Sequence, residues 1–256
     1  MATRGRSSLY DRRFCLDWNG LVEATYEGTP QGGPLSPLLS NILLTDLDRE
    51  LERRGHCFVR YADDANIYVK SEAAGQRVKA SITRFLAKRL KLKVNEAKSA
   101  VAHPWQRKFL GFSFTRTPRP RRKIAPPALV RFKERVGELT NRNQGRALDE
   151  VIKRLALYLR GWRGYFGFSE TPSVLRDLDS WIHRRLRSLV WKQWKRGRRR
   201  FAQLVRRGVG RALAARTAGS SHGPWRIAKS PALHIALPRA YFAALGLPRL
   251  HVLPTA

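Results

Sequence analysis

The sequence predicts an α+β first part followed by an all-helical second part. Three observations carry that expectation. Short β-prone runs alternate with helical spacing up to about residue 115, and only helical spacing follows. The stretch Thr117-Pro-Arg-Pro-Arg-Arg-Lys123 interrupts the chain with proline and charge, as a joint between domains does. Charge is divided unevenly across that joint. The 256 residues hold 51 Lys and Arg against 19 Asp and Glu, a net charge of +32. Residues 1–116 carry 20 basic and 12 acidic groups, residues 117–256 carry 31 and 7, and no Asp or Glu follows Asp179. Hydrophobic residues at 43% suffice for a packed core. A charge excess of this size points to a polyanionic partner, nucleic acid first. A small acidic substrate needs only a few charges and does not account for it.

The elements follow in order. Residues 9–20 read as the end of a basic helix. Gly28 through Pro37 cannot form regular helix or central strand, because Pro30, Pro34 and Pro37 each remove a backbone donor. A helix begins near Ser36-Pro37, with Leu39, Ile42, Leu43, Leu47 and Leu51 at helical spacing, and Gly55 ends it. Cys57–Tyr61 and Asn66–Lys70 are β-prone runs around the turn Ala62-Asp-Asp-Ala65. Ser71 caps a helix running to Leu90. Leu92–Val94 and Ser99–Ala102 read as short strands, and Lys108–Thr115 alternates loosely. Beyond the joint, helices are expected over 127–140, 147–160, from Thr171-Pro172 through the region of Val190, over 198–207 and over 239–246. The domains are therefore residues 1–116 and 117–256.

Cys15 and Cys57 show no metal-ligand spacing and read as reduced thiols of a cytoplasmic protein. No apolar run is long enough for a membrane span, and no signal core opens the chain.

Asp63 and Asp64 stand apart from the other acids, most of which sit near bases or on helical faces. They are adjacent, at a turn between two apolar strands, and no cationic residue flanks them directly. A divalent cation would relieve their repulsion, and Mg²⁺ favours carboxylate oxygens while keeping positions open for phosphate. The plainer alternative is an Asp-rich β-turn, since Asp is a favoured turn residue.

The surrounding residues resemble a known family. Tyr61-Ala-Asp-Asp64 resembles the catalytic hairpin of reverse transcriptases. Gly28-Thr-Pro-Gln-Gly-Gly-Pro-Leu-Ser-Pro37 is similar to that family's segment beneath the incoming nucleotide, and Leu92-Lys-Val-Asn-Glu-Ala-Lys98 to the segment carrying a lysine near the triphosphate. Phe109-Leu-Gly-Phe112 is similar to its primer-gripping turn. Tyr158-Leu-Arg-Gly-Trp-Arg-Gly-Tyr-Phe166 and the basic helix from Trp181 to Trp194 resemble the maturase domain of group II intron reverse transcriptases. The resemblance runs from about Arg12 to at least Arg200 and implies a partial reverse-transcriptase palm followed by an all-α thumb and maturase domain. It implies metal binding by Asp63, supported by Asp64, with Mg²⁺ as cofactor. Lys98 would serve the triphosphate, Pro30, Gln31, Gly32, Tyr61 and Ala62 the nucleotide site, and Phe109, Leu110, Gly111 and Phe112 the primer grip. Arg160, Trp162, Arg163, Arg184, Arg185, Arg187, Lys192, Lys195, Arg198, Arg199 and Arg200 would meet RNA. Guanidinium groups suit phosphate forks, and Trp162, Tyr165, Trp191 and Trp194 are either base-stacking platforms or core residues. The implied partners are group II intron RNA, an RNA template, a DNA primer and dNTPs, with no membrane.

One departure stands against these matches. The family carries another catalytic aspartate on a strand upstream of the Gly/Pro-rich loop. Only Asp11 and Asp17 are candidates before Gly28, and neither sits in a β-prone apolar segment. The expectation is a C-terminal part truncated before that aspartate, which polymerises weakly or not at all without a complementing N-terminal fragment or a second copy. The scattered histidines and the absence of Cys after Cys57 give no nuclease module. Three readings stay open: a reverse transcriptase completed by another chain, an RNA-binding splicing maturase without polymerase activity, and a decayed frame.

Overall fold

The computed structural model describes residues 35–251, together with the backbone of one strand pair nearer the N-terminus. It divides into two compact units, Met1–Ala102 and His103–Ala256. In the first unit, β1 (Phe14–Leu16) pairs antiparallel with β2 (Val22–Ala24). This corrects the helix expected over residues 9–20. The triplet Phe14-Cys-Leu16 is β-prone, and Asn19-Gly20, a hairpin-turn dipeptide, separates it in sequence from Val22. Asp11, Asp17, Pro30, Gln31 and Gly32 lie outside the described residues.

Helix α1 (Ser36–Arg53) starts with proline in its first turn, and Gly55 beyond its end adopts φ +71°, a left-handed conformation open to glycine at little steric cost. Strands β3 (Cys57–Tyr61) and β4 (Asp64–Tyr68) pair antiparallel, with Phe58 opposite Ile67 and Tyr61 opposite Asp64. Ser71 caps α2 (Glu72–Phe85) by accepting from the Ala74 N–H, and a wider helical turn over Leu86–Leu90 completes it. Leu44, Leu47 and Leu51 of α1 and Ile82 of α2 form the core of this unit, and Phe58, Ile67, Phe85 and Leu92 pack against them.

Two expectations change here. Leu39, Ile42 and Leu43 are exposed, Ile42 by 62%; among the described residues the buried apolar side chains of α1 are Leu44, Leu47 and Leu51. Residues 92–94 and 99–102 form no strands. Their apolar side chains are held by packing instead: Leu92 joins the core and Val101 lies over Gly75.

In the second unit, β5 (Phe112–Phe114) pairs antiparallel with β6 (Arg122–Ile124). The proline-rich joint is the loop of this hairpin, closed by the Thr115 N–H on Arg121 O at 3.0 Å. It thus lies inside the second unit, and the division between units falls at 102/103. Among the described residues eight helices follow: α3 (Pro126–Leu139), α4 (Leu148–Phe166), α5 (Pro172–Gln193), α6 (Gly197–Arg206), α7 (Arg211–Ala218), α8 (Pro224–Ile227), α9 (Pro231–Ala236) and α10 (Arg239–Ala244). Pro172 sits in the first turn of α5, but Thr171 gives the helix no side-chain cap; its hydroxyl pairs with Ser169 instead. Helix α5 runs through the middle of this unit. Its residues from Leu186 to Trp191 are all buried, as for a helix with neighbours on every side. Phe132, Ile152, Leu155, Leu159 and Phe242 are among the core side chains of the unit, and Ile182 of α5 joins them.

Gly75 yields the first prediction. A Cβ there would stand 2.5 Å from Val101 Cγ1 and 3.5 Å from Val69 Cγ2. Alanine normally stabilises a helix interior by roughly 0.5–1 kcal/mol over glycine, whereas overpacking costs about 1–3 kcal/mol. Because valine is stiff, the clash wins. Gly75→Ala should lower the denaturant midpoint of the first unit, and a raised midpoint would refute the packing.

Candidate functional site

The hairpin β3–β4 presents the two carboxylates. Its turn is two residues, Ala62-Asp63, tighter than the four-residue turn expected, and Asp64 already belongs to β4. Ala62 takes φ +53°, a conformation that disfavours a side chain bearing Cβ. Arg60 secures it. Strand alternation puts Phe58 and Arg60 on the same face, and from there the Arg60 guanidinium forks onto Asp48 of α1 at 2.8 and 2.5 Å. It also donates to Asn41 Oδ1 and to Ala62 O, each at 2.8 Å. The Asp48 carboxylate holds this guanidinium firmly protonated. Asp63, Asp64 and Tyr61 are exposed. Asp63 and Asp64 have no ion-pair partner among the described residues. No third His, Cys, Asp or Glu joins them in a metal-binding cluster among the described residues. Lys98 is exposed, in a turn whose backbone N–H groups bond to Asn95.

Phe109, Leu110, Gly111 and Phe112 come together in one tight turn. Phe109 and Phe112 exchange backbone hydrogen bonds at 2.9 Å, and Leu110 and Gly111 take φ +50° and +77°. Helix α4 braces it. The Tyr165 hydroxyl donates to Leu110 O at 2.9 Å, and the Phe166 ring lies 5.3 Å from that of Phe112. A Cβ on Gly111 would come within 3.1 Å of Phe166, so glycine there serves both the turn and the contact.

The cationic residues of the second unit divide into two groups. Arg185 donates to Gly137 O and Thr140 Oγ1, and Arg184 donates twice to Trp225 O while lying 3.8 Å from that ring's centroid. Arg187, only 5% exposed, donates to Leu237 O and faces His234 Nε2. Arg163 donates to Arg249 O, and Lys192 to Asn143 Oδ1. Arg200 and Arg207 cover the rings of Trp191 and of Trp194 with Tyr241. In contrast, Arg160, Lys195, Arg196, Arg198 and Arg199 are exposed. The candidate tryptophan platforms are core: Trp162, Trp191 and Trp194 are buried, Trp191 to 1% exposure, and the Trp162 ring packs tilted against that of Phe132 with centroids 4.3 Å apart. Sequence spacing alone left that choice open, and burial decides it. Tyr165 remains exposed but its hydroxyl is engaged.

Residues 5–114 match the family model for the reverse transcriptase (RNA-dependent DNA polymerase), and residues 129–208 match that for the group II intron, maturase-specific domain. The chain belongs to the group II intron reverse transcriptase/maturase family. It is 29% identical to the group II intron-encoded protein LtrA of Lactococcus lactis, over 37% of this chain and 26% of that protein. It is 30% identical to Protein YkfC of Escherichia coli, over 33% of this chain and 31% of the relative. The chain thus spans less than a third of the length of these curated relatives.

The reverse-transcriptase match ends within β5, a strand that folds with the helices of the second unit. The maturase-specific match begins in α3 and ends just after α6, so α7 to α10 lie beyond it. For the reverse-transcriptase hairpin, the Arg60–Asp48 fork is the decisive anchor. Lysine cannot reproduce a fork that bonds Asp48, Asn41 and Ala62 together. Arg60→Lys should cost about 2 kcal/mol of first-unit stability, the scale of hydrogen bonds to a charged group, read by chemical denaturation. Unchanged stability would show that the hairpin does not depend on this anchor.

Proposed function

We propose that the chain acts as the RNA-binding maturase of a group II intron, serving splicing and mobility, and that it carries the reverse-transcriptase hairpin in a form that polymerises weakly by itself. The observation that carries the RNA reading is the set of exposed cations at Lys195, Arg196, Arg198 and Arg199, in a segment with no Asp or Glu after Asp179. Such groups neutralise phosphates and release counterions. Functionally, residues 1–116 supply palm elements and residues 117–256 the thumb and RNA grip. The setting is cytoplasmic; no helix among the described residues is long and apolar enough to cross a membrane.

The hairpin's donor set suits Mg²⁺, which is commonly held by one or two carboxylates with waters and substrate phosphates completing its shell. Asp63 and Asp64 would hold the ion, which supplies positive charge to phosphoryl oxygens. In this reading Tyr61 and Ala62, with Pro30, Gln31 and Gly32, shape the nucleotide site for dNTPs. Lys98 meets the triphosphate, and the Phe109–Phe112 turn holds a DNA primer on its RNA template.

The test separates the two roles. Purified 1–256 with Mg²⁺, dNTPs and a primed RNA template should extend primers only weakly, and robust extension would overturn that part of the reading. Affinity for group II intron RNA should fall steeply, by orders of magnitude, between roughly 50 and 200 mM salt, and Asp63→Ala should leave it unchanged. A flat salt response, or loss of binding in Asp63→Ala, would contradict the RNA reading.

A further inference from the structure

Outside the hairpin and the exposed cations of α6, the second unit contains a cavity of about 710 Å³ between α5 and the segment from α8 to α10. Arg184, Arg187, Lys229 and Arg239 line it, with His183 and His234. Among the described residues no carboxylate lines it. Lys229, His234 and Arg239 lie beyond the residues matched by the maturase-specific model.

The charges of this lining are not neutralised from within. Arg187 is buried, and its Nε–H and Nη1 bonds go to a carbonyl and an imidazole, leaving its charge uncompensated and Nη2 outside both bonds. Among the described residues, Arg184 meets the Trp225 carbonyl and ring face, and Arg239 the Ser180 hydroxyl, with no carboxylate on either. The acid nearest in sequence, Asp179, faces the smaller neighbouring cavity with His183, Arg239, Arg249 and His251. Its oxygens already accept from the Leu250 and His251 N–H groups and pair with His251 Nδ1. Burial, with the fields of Arg187 and Arg239 added, pushes the His183 and His234 imidazoles toward neutrality. The cavity is therefore a concave, positively charged site with donors to spare, and a buried charge without a counter-charge calls for an anion.

We propose that this cavity is a phosphate-binding pocket that takes a single backbone phosphate, with its nucleotide, from the RNA the chain binds. The inference rests on the RNA-binding reading and deepens it. The volume exceeds what one phosphate needs and accommodates the attached nucleoside, with Trp181 as an apolar wall. Planar guanidinium groups on the floor and rim match phosphate oxygens in fork geometry. A flat surface patch gives contacts spread over many phosphates, whereas a pocket of this kind singles out one or two.

The experiment uses the full chain and a double variant, Lys229→Gln with Arg239→Gln, both exposed positions whose loss leaves the Arg187 clamp intact. Phosphate-ethylation interference on a labelled group II intron RNA reads each phosphate separately. Thermal melting with inorganic phosphate, against chloride at equal ionic strength, reads the free anion. The proposal expects one or two strongly interfering phosphates in the wild type, their interference lost in the double variant, and affinity reduced roughly tenfold while the melting temperature in chloride is unchanged. An identical interference pattern in the double variant overturns the pocket and leaves the RNA reading standing. No RNA binding by the wild type overturns the RNA reading itself. If the wild type fails to bind RNA but is stabilised by inorganic phosphate through Lys229 and Arg239, the pocket serves a free anion and the RNA proposal is refuted.

Discussion

The second unit is shaped by one constraint: beyond Asp179 there is no carboxylate, while 17 Lys and Arg remain to be accommodated. Ion pairing, the usual way to bury a guanidinium, is scarce there. The fold uses backbone carbonyls and aromatic faces instead. Arg184, Arg185 and Arg187, near the middle of α5, reach Trp225 O, Gly137 O and Leu237 O, and so tie this central helix to the end of α3 and to the segment from α8 to α10. Arg200 and Arg207 lie over tryptophan rings, where the π face offers partial compensation. Asp179 is 3% exposed and receives the Leu250 and His251 amides, which fastens the C-terminal segment to α5. The contrast with the first unit is direct: there Arg60 has a true carboxylate partner in Asp48.

This constraint separates the arginines into structural and available groups. A guanidinium bonded to a carbonyl keeps its full charge, so the clamps hold the bundle together and also raise its potential. The exposed cations at Lys195, Arg196, Arg198 and Arg199 add to that potential at the surface. A unit built this way is under electrostatic self-repulsion until a polyanion binds, which couples its stability to its partner. The first unit, more nearly balanced in charge, exposes its Asp63 and Asp64 carboxylates at the hairpin tip, with no ion-pair partner among the described residues.

Much of this was legible in the sequence, and the exceptions have physical causes. The hairpin around Ala62-Asp63 follows from two β-prone runs and a turn. Its tightness depends on Ala62 at φ +53°, which nothing in the residue type signals. Helix α1 is framed by Pro37 and Gly55, both readable as punctuation. The strand β6 was hidden because Arg122-Lys-Ile124 sits in a run of proline and charge, and only pairing with Phe112–Phe114 makes it a strand. Arg185 and Arg187 read as RNA contacts because they lie in a basic helix that resembles the maturase domain. In the structure α5 is buried on every side over Leu186–Trp191, and no local pattern reveals which carbonyl lies opposite a guanidinium. Trp162, Trp191 and Trp194 were ambiguous for the same reason: helical spacing marks both a core stripe and a stacking platform.

The division of arginines is tested most directly by melting and RNA affinity measured together on two triple variants. Replacing Arg196, Arg198 and Arg199 with alanine should leave the melting temperature unchanged or raise it as self-repulsion is relieved, weaken binding to intron RNA, and lower the steepness of its logarithmic salt dependence by about 2–3. Replacing Arg184, Arg185 and Arg187 should instead lower the melting temperature markedly. The account is contradicted if the second variant melts like the wild type, or if the first binds RNA with the original salt dependence.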